Sequence, residues 1–146
     1  MSMSLDSHIE KVLWTQDQIL DRVAQIASQI TLDFKAAPDP PLLVGVANGA
    51  FLFLADLVKR VEDIVDTGCT LSCLIEHLEA KGVSSVSICA FLDKPTRRKV
   101  HIKLVGDGKF YKGFECPDYF VVGYGMDFAE LYRNLPYIGV LKSEFY

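Results

Sequence analysis

Apolar residues recur every three or four positions along Ile19, Val23, Ile26, Ile30 and Phe34, the spacing of one buried helix face. Thr15 followed by Gln18 reads as a capping box that opens this helix. Three prolines in residues 36–41 end it and form a stiff connector. Residues 42–46 are an unbroken apolar run, as in a buried parallel strand. A turn at 47–50 leads into a predicted helix over 51–59. A second clear helix is predicted over 70–81, with Leu71, Leu74, Ile75 and Leu78 on one side and Gly82 as its stop. Strands are predicted over 86–92, 119–124 and 137–141, and the basic, glycine-bearing stretch 94–113 turns at 106–108. Strands alternating with helices imply an α/β fold with a largely parallel sheet.

One region carries two conflicting patterns. Leu54, Leu57, Val58, Val61, Ile64 and Val65 recur at helical spacing, so a single helix could run from residue 50 through Glu62 and Asp63. An acidic ligand loop in an α/β fold belongs instead at the carboxyl end of a buried strand.

Composition narrows the class. The chain has 146 residues, enough for one domain spanning 1–146, and half of them are hydrophobic, enough for a core. A net charge of −4 argues against a general nucleic-acid binder. No apolar stretch is long enough to span a bilayer, and residues 1–10 have no signal-peptide pattern. A cytoplasmic protein without a membrane partner is expected. Cys69, Cys73, Cys89 and Cys116 form no CxxC pair and read as small buried hydrophobes. His8, His77 and His101 match no catalytic pattern and read as surface residues.

The chemistry concentrates in Glu62-Asp63-Ile64-Val65-Asp66-Thr67-Gly68-Cys69-Thr70. Backbone N–H groups at such a turn before a helix, with the helix dipole, attract an anion. Carboxylates beside it make sense if the ligand carries phosphate together with hydroxyls or a divalent cation. A phosphorylated sugar with Mg²⁺ is the expected ligand.

This motif, from Val61 to Leu71, resembles the phosphoribosyl-pyrophosphate (PRPP) signature of the hypoxanthine-guanine phosphoribosyltransferase family. The likeness continues through 43–50, through Phe91-Leu92-Asp93-Lys94-Pro95, through 113–118, and through Phe120-Val121-Val122-Gly123-Tyr124-Gly125-Met126-Asp127. It implies a type I phosphoribosyltransferase-like α/β fold with a mostly parallel sheet flanked by helices. It also implies a truncation. In the family, several dozen residues separate the helix after the first strand from the acidic motif, including two strands, a mobile loop that closes over the active site and the strand leading into the motif. Here Lys59-Arg60 joins directly to Val61-Glu62, so the resemblance implies a single, internally shortened domain.

The resemblance further implies roles. Glu62 and Asp63 face the ribose hydroxyls and Mg²⁺. Asp66, Thr67, Gly68, Cys69 and Thr70 cradle the 5′-phosphate, and Asp66 takes the proton leaving the purine's five-membered ring. Asn48 and Gly49 lie in the pyrophosphate loop, where many members carry Lys in place of Asn48. Lys94 donates to the exocyclic oxygen of hypoxanthine or guanine, Phe120 stacks on the purine, and the Val121 backbone reads its edge. Asp127 completes the purine side and binds a second Mg²⁺, and Arg133 contacts pyrophosphate. Taken alone, Lys94 before a proline reads as exposed, Phe120 in an apolar run as core, and Glu62 and Asp63 as a solvated helix turn. The implied reaction joins PRPP to hypoxanthine or guanine, giving IMP or GMP and pyrophosphate, in a homo-oligomeric enzyme. The alternative is an impaired chain that binds nucleotide or oligomerises without turnover.

Overall fold

A computed structural model describes residues 5–37, 42, 53, 56, 57, 64, 65 and 69–146. Among them, helix α1 (Gln16–Phe34) opens on the expected capping box, with both the Thr15 and Gln18 side chains in place. Its stripe is buried at Ile19, Val23 and Ile26 and half-buried at Ile30 and Phe34. Arg22 on the same helix donates from Nε to the Gly113 carbonyl at 2.7 Å, which ties α1 to the sheet.

The strands form two sheets. Strand β2 (Ile64–Val65), β3 (Ile88–Asp93) and β4 (Phe110–Glu115) pair in parallel in that order, with α2 (Cys69–Ala80) connecting β2 to β3. Every residue of β3 is buried, as its continuous apolar run requires in the middle of a parallel sheet. Strand β1 (Ile9–Trp14), β5 (Val121–Val122) and β6 (Ile138–Leu141) form a second, antiparallel sheet in the order β1-β6-β5. The parallel sheet was expected and the antiparallel one was not. β1 hides its strand character because Glu10, Lys11 and Val12 are exposed on an edge. β4 hides its own behind Lys112 and Gly113, inside a segment that reads as a basic loop.

The conflict around the acidic motif resolves locally. Phe53, Asp56 and Leu57 are helical, and Ile64 and Val65 are strand. Pairing with the apolar β3 outweighs the helical spacing at these two positions. The expected strand at 42–46 lies outside the described residues except for Leu42, which is exposed. The predicted stop of α2 holds, with Gly82 at φ +81° and its N–H bonded to the Glu79 carbonyl at 2.9 Å.

The main core gathers Ile19, Val23, Ile26, Phe53, Phe91 and Ile138, all fully buried. Cys89 and Cys116 join it as expected, whereas Cys69 and Cys73 are exposed on α2. His8 is not a simple surface residue. Its Nδ1 lies 2.9 Å from the Tyr132 hydroxyl and its ring stacks on Phe145 at 4.0 Å.

Candidate active site

Register places the chemistry at one end of the parallel sheet. Val65 pairs with Asp93, and Asp93 pairs with Glu115. The residues that follow β3 and β4, from Lys94 and from Cys116, therefore leave the sheet at its carboxyl edge, where α/β sheets bind ligands, and Val65 of β2 ends at the same edge. Glu62, Asp63, Asp66, Thr67 and Gly68 lie outside the described residues, as do Asn48 and Gly49. Cys69 and Thr70 form the first turn of α2, with Cys69 exposed.

Lys94 and Phe120 both reverse the bland expectation. Lys94 is only 8% exposed, and Nζ donates to the Tyr119 carbonyl at 2.9 Å. That bond sets its ammonium beside the backbone of Phe120. Phe120 is 36% exposed, although the residues after it are core. Val121 is buried in β5 opposite Val140, and the Phe120 carbonyl accepts the Leu141 N–H at 2.9 Å. A buried cation, an accessible aromatic ring and a fixed backbone edge are thus brought together.

Asp127 and Arg133 meet each other. Arg133 Nη2 sits 2.9 Å from Asp127 Oδ1, and Asp127 Oδ2 accepts the Glu130 N–H at 3.0 Å. Arg133 Nη1 also donates to the Gly125 carbonyl at 3.0 Å. The chain from Tyr124 to Tyr132 is tightly wound, with positive φ at Tyr124, Ala129, Glu130 and Tyr132, a region non-glycine residues rarely adopt. Tyr124 is held there by its N–H to Leu135 at 2.8 Å and by its hydroxyl to Asp56 Oδ2 at 2.6 Å. Phe128 meets Phe120 perpendicularly, with centroids 5.5 Å apart, so this loop lies against the aromatic ring.

Some neighbours were not foreseen. Asp93 is buried with Arg98 and Lys112 paired to it, the latter at 3.6 Å. Its place at the end of an apolar strand was the available signal. Tyr146 stacks on Phe120 at 4.5 Å, a contact across 26 positions of chain that no local pattern announces. Among the described residues no group of three or more side chains forms a metal centre, and no helix is long and apolar enough to cross a membrane.

Comparison with known proteins gives a consistent family. A phosphoribosyl transferase domain model matches residues 61–129, beginning at the residue where the acidic motif follows Arg60. Hypoxanthine-guanine phosphoribosyltransferase of Bacillus subtilis is 36% identical over 180 residues, covering 94% of this chain and 96% of the relative. The Staphylococcus aureus protein of the same name is 33% identical over 184 residues, covering 97% and 99%. Both aligned spans are longer than this chain, so each relative carries residues inside the match that this chain lacks. A crystal structure of hypoxanthine phosphoribosyltransferase from Staphylococcus aureus superposes with a TM-score of 0.86 at 32% identity, covering 100% of this chain and 98% of that one. An acidic strand-turn-helix, a shared architecture and near end-to-end similarity agree, and the chain belongs to the hypoxanthine-guanine phosphoribosyltransferase family.

Proposed function

We propose that this chain, as a single internally shortened domain, transfers the 5-phosphoribosyl group of PRPP to hypoxanthine or guanine, giving IMP or GMP and pyrophosphate in purine salvage. The observation that carries the reading is the pairing of a buried Lys94 with an accessible Phe120 at the carboxyl end of the parallel sheet. An exposed ring beside a buried donor suits a flat ligand bearing a carbonyl oxygen. Adenine, which presents an amino group there, would leave Lys94 facing a donor.

In this reading Lys94 Nζ donates to the 6-oxo group, Phe120 stacks on the base and the Val121 backbone holds its edge. Glu62 and Asp63 bind the ribose hydroxyls. Asp66 receives the proton from the five-membered ring as the glycosidic bond forms. Thr67, Gly68, Cys69 and Thr70 surround the 5′-phosphate, while Asn48, Gly49 and Arg133 contact pyrophosphate. The donor set fits Mg²⁺, because Glu62, Asp63 and Asp127 are hard oxygen ligands. Asp127 uses each oxygen once with Arg133 and Glu130, and a carboxylate oxygen has a second lone pair to offer. Mg²⁺ held by these carboxylates would supply positive charge to the pyrophosphate group as it leaves. We further place the protein in the cytoplasm as a homo-oligomer.

The length difference from the relatives supports a second reading, in which nucleotide binds without turnover because the closing loop is missing. Incubation with PRPP, Mg²⁺ and radiolabelled hypoxanthine, beside GMP titration calorimetry, separates the two. IMP formation supports the transferase. GMP binding without IMP supports the impaired chain, and absence of both overturns the family activity for this chain.

A further inference from the structure

Phe120 belongs to a small aromatic group whose other members, Phe128 and Tyr146, the proposed reaction does not use. Tyr146 lies nearly parallel to it, at 16° and 4.5 Å between centroids. Phe128 stands perpendicular to both rings, at 5.5 Å from Phe120 and 6.5 Å from Tyr146. These three separations make a nearly right-angled corner at Phe120. Tyr146 therefore covers one face of Phe120, and Phe128 lies at its side rather than on the opposite face. Phe120 as a whole remains 36% exposed.

We propose that Tyr146 is a positioning residue for purine binding, backing the Phe120 ring so that its open face is presented to the base. The inference rests on the purine reading given above. A phenylalanine ring at a surface turns about two side-chain bonds, and each orientation lost on binding weakens affinity. Stacking from behind, with Phe128 at the side, fixes the ring plane before the ligand arrives. The base then completes a three-layer stack of Tyr146, Phe120 and purine. Offset stacking between aromatic rings supplies attraction beyond the area it buries.

The test compares Tyr146→Ala and Tyr146→Phe with the unaltered chain by titration calorimetry against GMP and, separately, PRPP with Mg²⁺. Tyr146→Ala is expected to weaken GMP binding between about twofold and tenfold, the range of one aromatic pair. PRPP affinity should stay unchanged, and Tyr146→Phe, which keeps the ring, should bind GMP like the unaltered chain. Equal GMP affinity in Tyr146→Ala, or an equal loss for PRPP, overturns the proposal. A purely structural role would weaken both ligands together. If the unaltered chain binds no GMP, the functional reading fails, and Phe120 ring-proton resonances then decide the positioning itself. Resonances displaced in Tyr146→Ala and retained in Tyr146→Phe support it, and unchanged resonances in Tyr146→Ala overturn it.

Discussion

Burying an ammonium group is unfavourable unless hydrogen bonds replace its water, and Lys94 has the Tyr119 carbonyl at 2.9 Å for this purpose. An ammonium has three N–H donors, so a base oxygen can accept from it as well. Lys94→Met keeps the stem and removes the donor. It is expected to weaken GMP binding by about ten- to a hundredfold, the worth of a hydrogen bond to a charged group, while PRPP affinity is kept. Calorimetry on both ligands checks this. Asp127→Asn makes a different test. The pair with Arg133 is partly exposed, at 30% and 26% for the two side chains, and such pairs contribute about 0–1 kcal/mol. The variant should melt within a few degrees of the unaltered chain. Its pyrophosphate affinity in Mg²⁺ should nonetheless fall by about tenfold or more, and titrations at several Mg²⁺ concentrations read the loss.

Helix α1 and strand β4 are joined by a polar contact whose strength follows pH. The Asp33 carboxylate accepts from the Tyr111 hydroxyl at 2.7 Å and pairs with Lys109. Hydrogen bonds from Lys109 and then Tyr111 hold Asp33 below its ordinary value of 3.8. Stability from this shift is present above 3.8 and is lost as pH falls through the lower folded value. Burial, and then the bond to Asp33, push Tyr111 above its ordinary 10.0. That contribution is present below pH 10 and is lost as pH rises through the raised folded value. Asp33→Asn should therefore flatten the acid limb of the stability curve and lessen, without removing, the alkaline one, since burial of Tyr111 remains, as thermal melts from about pH 3 to 11 would record. At this scale the sequence was only partly legible. The cap at Thr15, the stripe of α1 and the stop at Gly82 were readable because each is set within a few residues. β1 and β4 were not, since an exposed edge and a strand carrying Lys112 and Gly113 lack clean alternation. The candidate site was legible through the family motif at Lys94, Phe120 and Asp127. Tyr146 and the buried Asp93 pairs were not, because contacts between distant positions leave no periodic trace.

For the molecule as a whole, the aligned relatives carry residues that this chain lacks, and the question is how firmly the acidic motif is held. Among the described residues its strand, β2, pairs with β3 at Ile64 with Leu92 and at Val65 with Asp93. A ligand that binds only the folded chain stabilises it by mass action, about 2.7 kcal/mol at a hundredfold excess over Kd. PRPP with Mg²⁺ is expected to raise Tm by roughly 5–10 °C for a domain of this size, and scanning calorimetry at graded concentrations would follow the rise. An unchanged melting curve at saturating PRPP would mean that the motif gains nothing from its ligand.

The wound segment between Tyr124 and Tyr132 has one more consequence. Four side-chain-bearing residues there sit in left-handed backbone conformations, and β-branched residues tolerate that geometry least. Evolutionary drift at these positions should run toward glycine and asparagine and away from valine and isoleucine, so the bend that aims Arg133 constrains inheritance even where no side chain meets a ligand.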